Sequence, residues 1–184
     1  MSRAVEPQVT LDGFEVLDAT HRQILAALDT LQQLVAHLDR NDADAQAQAM
    51  AATVVKFFDT TARQHHEDEE RHIFPTLARS PDPQMVQTVA RLQQDHRWLD
   101  EDWMELSAHL EALAAGHTWW DLALVREGSA VFIALSHDHI ALEESLIYPE
   151  ARLRMRQAER GEMGREMAAR RREKRTGREA GKGA

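Results

Sequence analysis

The sequence contains no cysteine, which removes disulfides, thiolate metal ligands and thiol nucleophiles together. Any metal would have to be held by His, Asp or Glu. Aromatic residues are scarce, with one Tyr and five Phe, and Gly is limited to eight; this composition favours helices over sheets. No stretch approaches about 18 consecutive apolar residues, and the N-terminus has no basic segment leading into an apolar run. Neither a membrane span nor an export signal is therefore expected, and the default expectation is a cytoplasmic protein. Positive charge is also in short supply. There are 22 Lys and Arg against 31 Asp and Glu, a net charge of −9, which argues against general nucleic-acid binding by the whole chain.

What remains is 184 residues that are 43% hydrophobic, enough for one domain with a core. Charge divides the chain. Residues 152–184 hold 12 of the 22 basic and five of the 31 acidic residues, a net of +7, so residues 1–151 carry −16. The expected organisation is a lead over 1–10, a helical bundle over 11–155 and a basic tail over 156–184, which extends the fourth helix through Glu–Arg pairs four apart and is then disordered from Thr176-Gly177 onward.

Apolar residues recur at three- and four-residue steps along four segments. The first runs Phe14, Leu17, Ile24, Leu28, Leu31, Val35, Leu38, with His21 in the one slot that is not apolar. Asp39-Arg40-Asn41-Asp42 ends it and offers N-caps for a second segment, striped by Ala51, Val54 and Phe58 and continuing onto His65 and Glu69. Pro75 should bend or end that helix, and Ser80-Pro81-Asp82-Pro83 is a break with Asp82 as N-cap. The third stripe is Met85, Val89, Leu92, His96, Leu99, Trp103, Leu106, Leu110, Leu113, with Gly116 as its stop and Thr118 as the next N-cap. The fourth is Leu122, Val125, Ser129, Phe132, Ser136, His139, Glu143, Leu146. Four amphipathic helices on short connections predict an all-α, antiparallel up-down-up-down four-helix bundle.

The chemistry lies in a stretch that occurs twice. His65-His66-Glu67-Asp68-Glu69-Glu70-Arg71-His72-Ile73-Phe74-Pro75 and His139-Ile140-Ala141-Leu142-Glu143-Glu144-Ser145-Leu146-Ile147-Tyr148-Pro149 both read His-x-x-x-Glu-Glu-x-x-Ile-aromatic-Pro, 74 residues apart. A His and a Glu four apart lie one above the other on a helix face, where both can grip one ion. In an antiparallel hairpin, residues equidistant from the connecting loop meet at one level. The midpoints of His21 and His65, of His65 and His96, and of His96 and His139 fall near 43, 80 and 117, each on a loop assigned from other residues. The four histidines are thus expected in one inward layer, one per helix, with Glu69 and Glu143 a turn away.

A buried carboxylate without a partner costs several kcal/mol or takes up a proton, and a metal removes that cost. A lone His on an apolar stripe is more often a hydrogen-bonded core residue; four at one level with two inward carboxylates are not readily explained that way. His66 and Glu70 are rotated by about 100° from the stripe and are expected to be solvated or to support the ligands, and the same reasoning prefers Glu143 to Glu144. His37, His72, His109, His117 and His137 fit surface or loop positions, and Asp100 is the reserve ligand. The metal ligands expected are His21, His65, Glu69, His96, His139 and Glu143. The two-fold repeat suggests two ions, each with two His, bridged by both Glu. A nitrogen-and-oxygen donor set with open positions fits iron ahead of manganese and zinc.

The lone His, the His-x-x-x-Glu-Glu-x-x-Ile-Phe-Pro string and their repetition over about residues 10–152 resemble the hemerythrin-like, or HHE cation-binding, family. The resemblance implies a four-helix bundle with a non-haem di-iron site at the same six residues. It departs at Leu92, where oxygen-carrying hemerythrins have a further His one turn before the lone His of the third helix. Function is then expected among binding or sensing of oxygen, nitric oxide or peroxide, or iron handling. A peroxidase- or catalase-like enzyme is the alternative, and a structural metal bundle acting through its basic tail is a third. The partners expected are a small diatomic ligand or peroxide and no membrane, with nucleic acid reachable only through the tail.

Overall fold

In a computed structural model, residues 12–180 are described, residues 174–180 by backbone alone, and every regular element among them is helical. Asp12 starts α1 (Gly13–Leu38) through a capping box in which its carboxylate accepts the Phe14 amide at 3.0 Å while Glu15 reaches back to the Asp12 amide. The second segment holds α2 (Ala45–Phe57), a π turn (Phe58–Ala62), α3 (Arg63–His72) and a four-residue α4 (Phe74–Leu77). Its N-cap is Asp44, which accepts the Ala47 amide at 2.9 Å, and not a residue of the Asp39–Asp42 stretch. The expected break at Pro75 is present: α3 stops at His72, and Pro75 sits at the start of α4, where a missing amide hydrogen costs nothing.

Asp82 caps α5 (Pro83–Ala114) as the sequence predicts. Gly116, with φ 74°, ends it: a left-handed residue lets the His117 amide reach back to the Ala112 carbonyl at 2.9 Å. α6 (Leu122–Leu142) begins on Asp121 rather than Thr118, because the Asp121 carboxylate accepts both the Ala123 and the Leu124 amides. A second π turn (Glu143–Ile147) follows and leads into α7 (Tyr148–Arg154).

The tail departs most from expectation. α7 does not run on into it, because Met155 is extended (φ −97°, ψ 131°), and a separate α8 (Gln157–Ala180) continues through Thr176-Gly177. α8 lies on α1, with Met163 and Met167 buried. Gly13 permits the approach: a Cβ there would come within 2.2 Å of the Met163 methyl carbon. The basic tail thus folds onto the acidic bundle, with Arg170 and Arg171 both paired to the buried carboxylate of Asp68 and Glu166 paired to His72.

α1 packs on α2 and α6, and α5 packs on the same two, which closes a ring of helices. The apolar interior falls into two parts. One, around Leu28, Leu31, Val54, Leu110 and Phe132, fills the end toward the α1–α2 and α5–α6 loops. The other, around Phe14, Leu17, Phe74, Val89, Leu92 and Met163, fills the opposite end. The polar residues picked out by the repeat lie between them.

Candidate metal centre

His21 on α1, His65 and Glu69 on α3, His96 on α5, His139 on α6 and Glu143 at the start of the second π turn are each no more than 3% exposed. All six converge. Glu69 Oε1 lies 3.3 Å from His65 Nε2 and 3.8 Å from His21 Nε2, while its Oε2 lies 3.4 Å from His96 Nε2. Glu143 Oε2 lies 3.3 Å from His21 Nε2, and its Oε1 lies 3.1 Å from His139 Nε2. Each carboxylate therefore spans two halves of one cluster, with His21 and His65 on one side and His96 and His139 on the other. Potential ligand atoms of His21, His65, Glu69 and Glu143 lie within 4.8 Å of one another, and so do those of Glu69, His96, His139 and Glu143.

Of the two expectations for His66, support of the ligands is the one its packing favours, with the residue half-buried. Its ring stacks on His96 with centroids 4.1 Å apart and planes 16° from parallel, and His66, His96 and His139 form a third group of converging ligand atoms. The inner face remains on His65 and Glu69, and His66 packs at its edge against the α5 imidazole. Asp100, the reserve ligand, is exposed and belongs to none of the three groups. A buried carboxylate outside the three groups is Asp95, 2% exposed, whose Oδ2 lies 3.8 Å from His139 Nδ1. It was legible only as a position just off the α5 stripe.

Glu70 and Glu144 remain half exposed yet are engaged. Glu70 Oε1 lies 3.0 Å from His96 Nδ1, and Glu144 Oε1 lies 3.0 Å from His21 Nδ1. Each thus fixes which imidazole nitrogen carries a hydrogen and turns the other, Nε2, toward the cluster. Tyr148, fully enclosed, donates its hydroxyl hydrogen to Glu69 Oε1, lies 3.1 Å from His21 Nε2 and stacks on that ring at 5.1 Å. Of the remaining histidines, His37 pairs with Asp44 and His72 with Glu166, while His109 and His117 flank Trp119.

The charge states are those of a site short of cations. Burial lowers the His139 imidazole, but Glu143 and Asp95 beside it outweigh this and push it up to about 10. His21 and His96 move up for the same reason, their carboxylate partners overcoming burial. Burial alone would raise the Glu143 carboxyl, yet His139 and His21 hold it well below the usual carboxylate range. His65, buried beside other imidazoles, falls to about 3 despite Glu69, and His66 falls well below its ordinary value through burial and the neighbouring His96 and His139. Both are neutral, the form that donates to a metal. Glu143 Oε1 and Oε2 and Glu69 Oε2 have no hydrogen-bond donor, although both side chains are completely buried. Buried carboxylate oxygens without a donor, set among four imidazoles, fit a cation.

Comparison with known proteins agrees with this chemistry. The family model described as hemerythrin HHE cation binding domain matches residues 12–151. An uncharacterised protein of Haemophilus influenzae is 30% identical over 161 residues, which is 87% of this chain and 90% of that protein.

Proposed function

The chain belongs to the hemerythrin HHE cation-binding family, and from that premise we propose that it is a non-haem di-iron protein that reversibly binds oxygen, nitric oxide or peroxide. The observation that carries this reading is the bridging of two histidine groups by Glu69 and Glu143. One iron is assigned to His21 and His65, the other to His96 and His139, with both carboxylates shared. His66 joins the second group and offers there the imidazole that Leu92 does not. The ring of helices is read as the antiparallel up-down-up-down bundle, supported by Arg126 pairing with Asp39 and Arg152 with Asp18 at opposite ends of α1.

When bound, the metals supply open positions for a small ligand and electrons to share with it. The protein's part is to hold and orient. Glu70 and Glu144 fix the His96 and His21 rings, and Asp95 places a buried negative charge 3.8 Å from His139 Nδ1. The apolar interior, with Leu92, Phe74 and Phe14 on one side, keeps bulk water from that side of the ligands, while Phe58 and Phe132 flank them on the other. Tyr148 holds a hydroxyl hydrogen against Glu69, and burial together with Glu69 and Glu143 pushes its pKa well above the ordinary value, so the proton stays in place. Six or seven ligands that include only two carboxylates stabilise high-valent iron less than carboxylate-rich sites do, which favours reversible binding over strong oxidation. A role exerted through a free basic tail is disfavoured by the pairing of Arg170 and Arg171 with Asp68.

Metal content per chain, measured with the absorption spectrum on adding oxygen, nitric oxide or peroxide to the reduced protein, tests the reading. Two irons per chain and a reversible new band support binding, whereas sustained gas evolution from peroxide would move the assignment to an enzyme. Protein that contains no iron and cannot be loaded sinks it.

A further inference from the structure

A cavity of about 300 Å³ enters the bundle beside the first π turn and ends on His65, His66 and His139. That is room for about ten water molecules and matches the lower end of organic-ligand pockets. A diatomic ligand or peroxide needs a small fraction of it. We propose that this cavity binds a neutral aromatic molecule of one or two rings beside the metal-facing histidines, so that the site works on or under the control of an organic ligand as well as a small inorganic one.

Three features carry the assignment. The walls present an aromatic cluster: Phe58 lies 4.9 Å from Trp103 and 5.0 Å from Phe132, and Trp103 lies 5.4 Å from Phe132. These rings offer faces and edges to a flat guest. Trp103 is fixed by its indole N–H, which donates to Asp59 Oδ1 at 2.9 Å, so the wall is set before a guest arrives. At the inner end the cavity is closed by His65, His66 and His139, so a guest would lie beside the imidazoles. Charge selects against anions, since Asp59, Asp100 and Glu101 line the outer part against Arg63 alone. Met104, 69% exposed, marks the outer rim, so the cavity is reached from solvent without moving a helix.

This inference rests on the metal-site reading only for what lies at the inner end; the cavity itself does not depend on a metal. The probe is p-cresol, a neutral phenol, titrated calorimetrically into the full-length protein both as isolated and after chelator treatment, with benzoate as the anionic control. Saturable p-cresol binding is expected, with benzoate weaker by about tenfold or more. Ser107→Phe, which fills the cavity from a half-buried position on α5, should weaken p-cresol by about tenfold while helical content and metal content stay unchanged. The indole N–H resonance of Trp103 is a second readout that needs no variant to fold: p-cresol should move it and leave those of Trp98 and Trp119 in place. Absence of saturable binding, equal binding of benzoate, or movement of all indole resonances alike overturns the proposal. A chain that holds two irons but binds no p-cresol refutes the cavity and leaves the metal site standing. A chain that binds p-cresol but cannot be loaded with iron does the reverse.

Discussion

His66 lies flat against His96, ring centroids 4.1 Å apart and planes 16° from parallel, on the side of the cluster that also holds His139. A neutral His66 beside His96 and His139 makes the two halves of the site unequal. His66→Leu is therefore expected to weaken one iron by about ten- to a hundredfold and leave the other near its original affinity. Iron per chain after graded chelation measures this; two irons lost or retained together would count against a role for His66.

Glu69→Ala and Glu143→Ala should each release one or both irons, because each carboxylate spans both halves. Glu70→Gln and Glu144→Gln should keep two irons under excess metal but bind them about tenfold more weakly or worse, since His96 and His21 lose the acceptors that orient them. Competition against a metal-sensitive dye separates the two outcomes, and unaltered affinity in both glutamine variants would show that the Nδ1 contacts orient nothing.

Tyr148→Phe removes a hydroxyl that serves Glu69 and His21 when no cation is present. The loss should destabilise metal-free protein by about 1–3 kcal/mol, the cost of a stranded buried acceptor. Iron-loaded protein should suffer less, because a cation then satisfies Glu69. Thermal unfolding of both forms tests this, and an equal shift in the two would contradict it.

Gly13→Ala places a Cβ where the Met163 side chain lies, within 2.2 Å of its methyl carbon and 2.7 Å of its Cγ. Overpacking of this kind costs about 1–3 kcal/mol, enough to loosen α8 from α1. Limited proteolysis should then cut faster near the extended Met155, while iron content remains unchanged. An unchanged cleavage rate would mean that α8 is held by its arginine pairs to Asp68 and not by this packing.

Sequence by itself determined the layer. A 3.6-residue period places His and Glu four apart on one face, and antiparallel hairpins bring residues equidistant from their loops to one level, so the convergence of His21, His65, Glu69, His96, His139 and Glu143 follows from spacing alone. Caps that depend on one local carboxylate were readable where a single candidate existed, as at Asp82, and misplaced where several competed, as at Asp44 and Asp121. Tertiary structure decided the rest. The stacking of His66 on His96 joins two helices, and no count along one helix shows it. The burial of Asp95 beside His139, the contacts of Glu70 and Glu144 to imidazoles on other helices, and the docking of α8 through Met163, Met167 and Asp68 all join residues far apart in the chain. Such contacts depend on how neighbouring helices are rotated and packed, a property of the assembled bundle that no single segment carries.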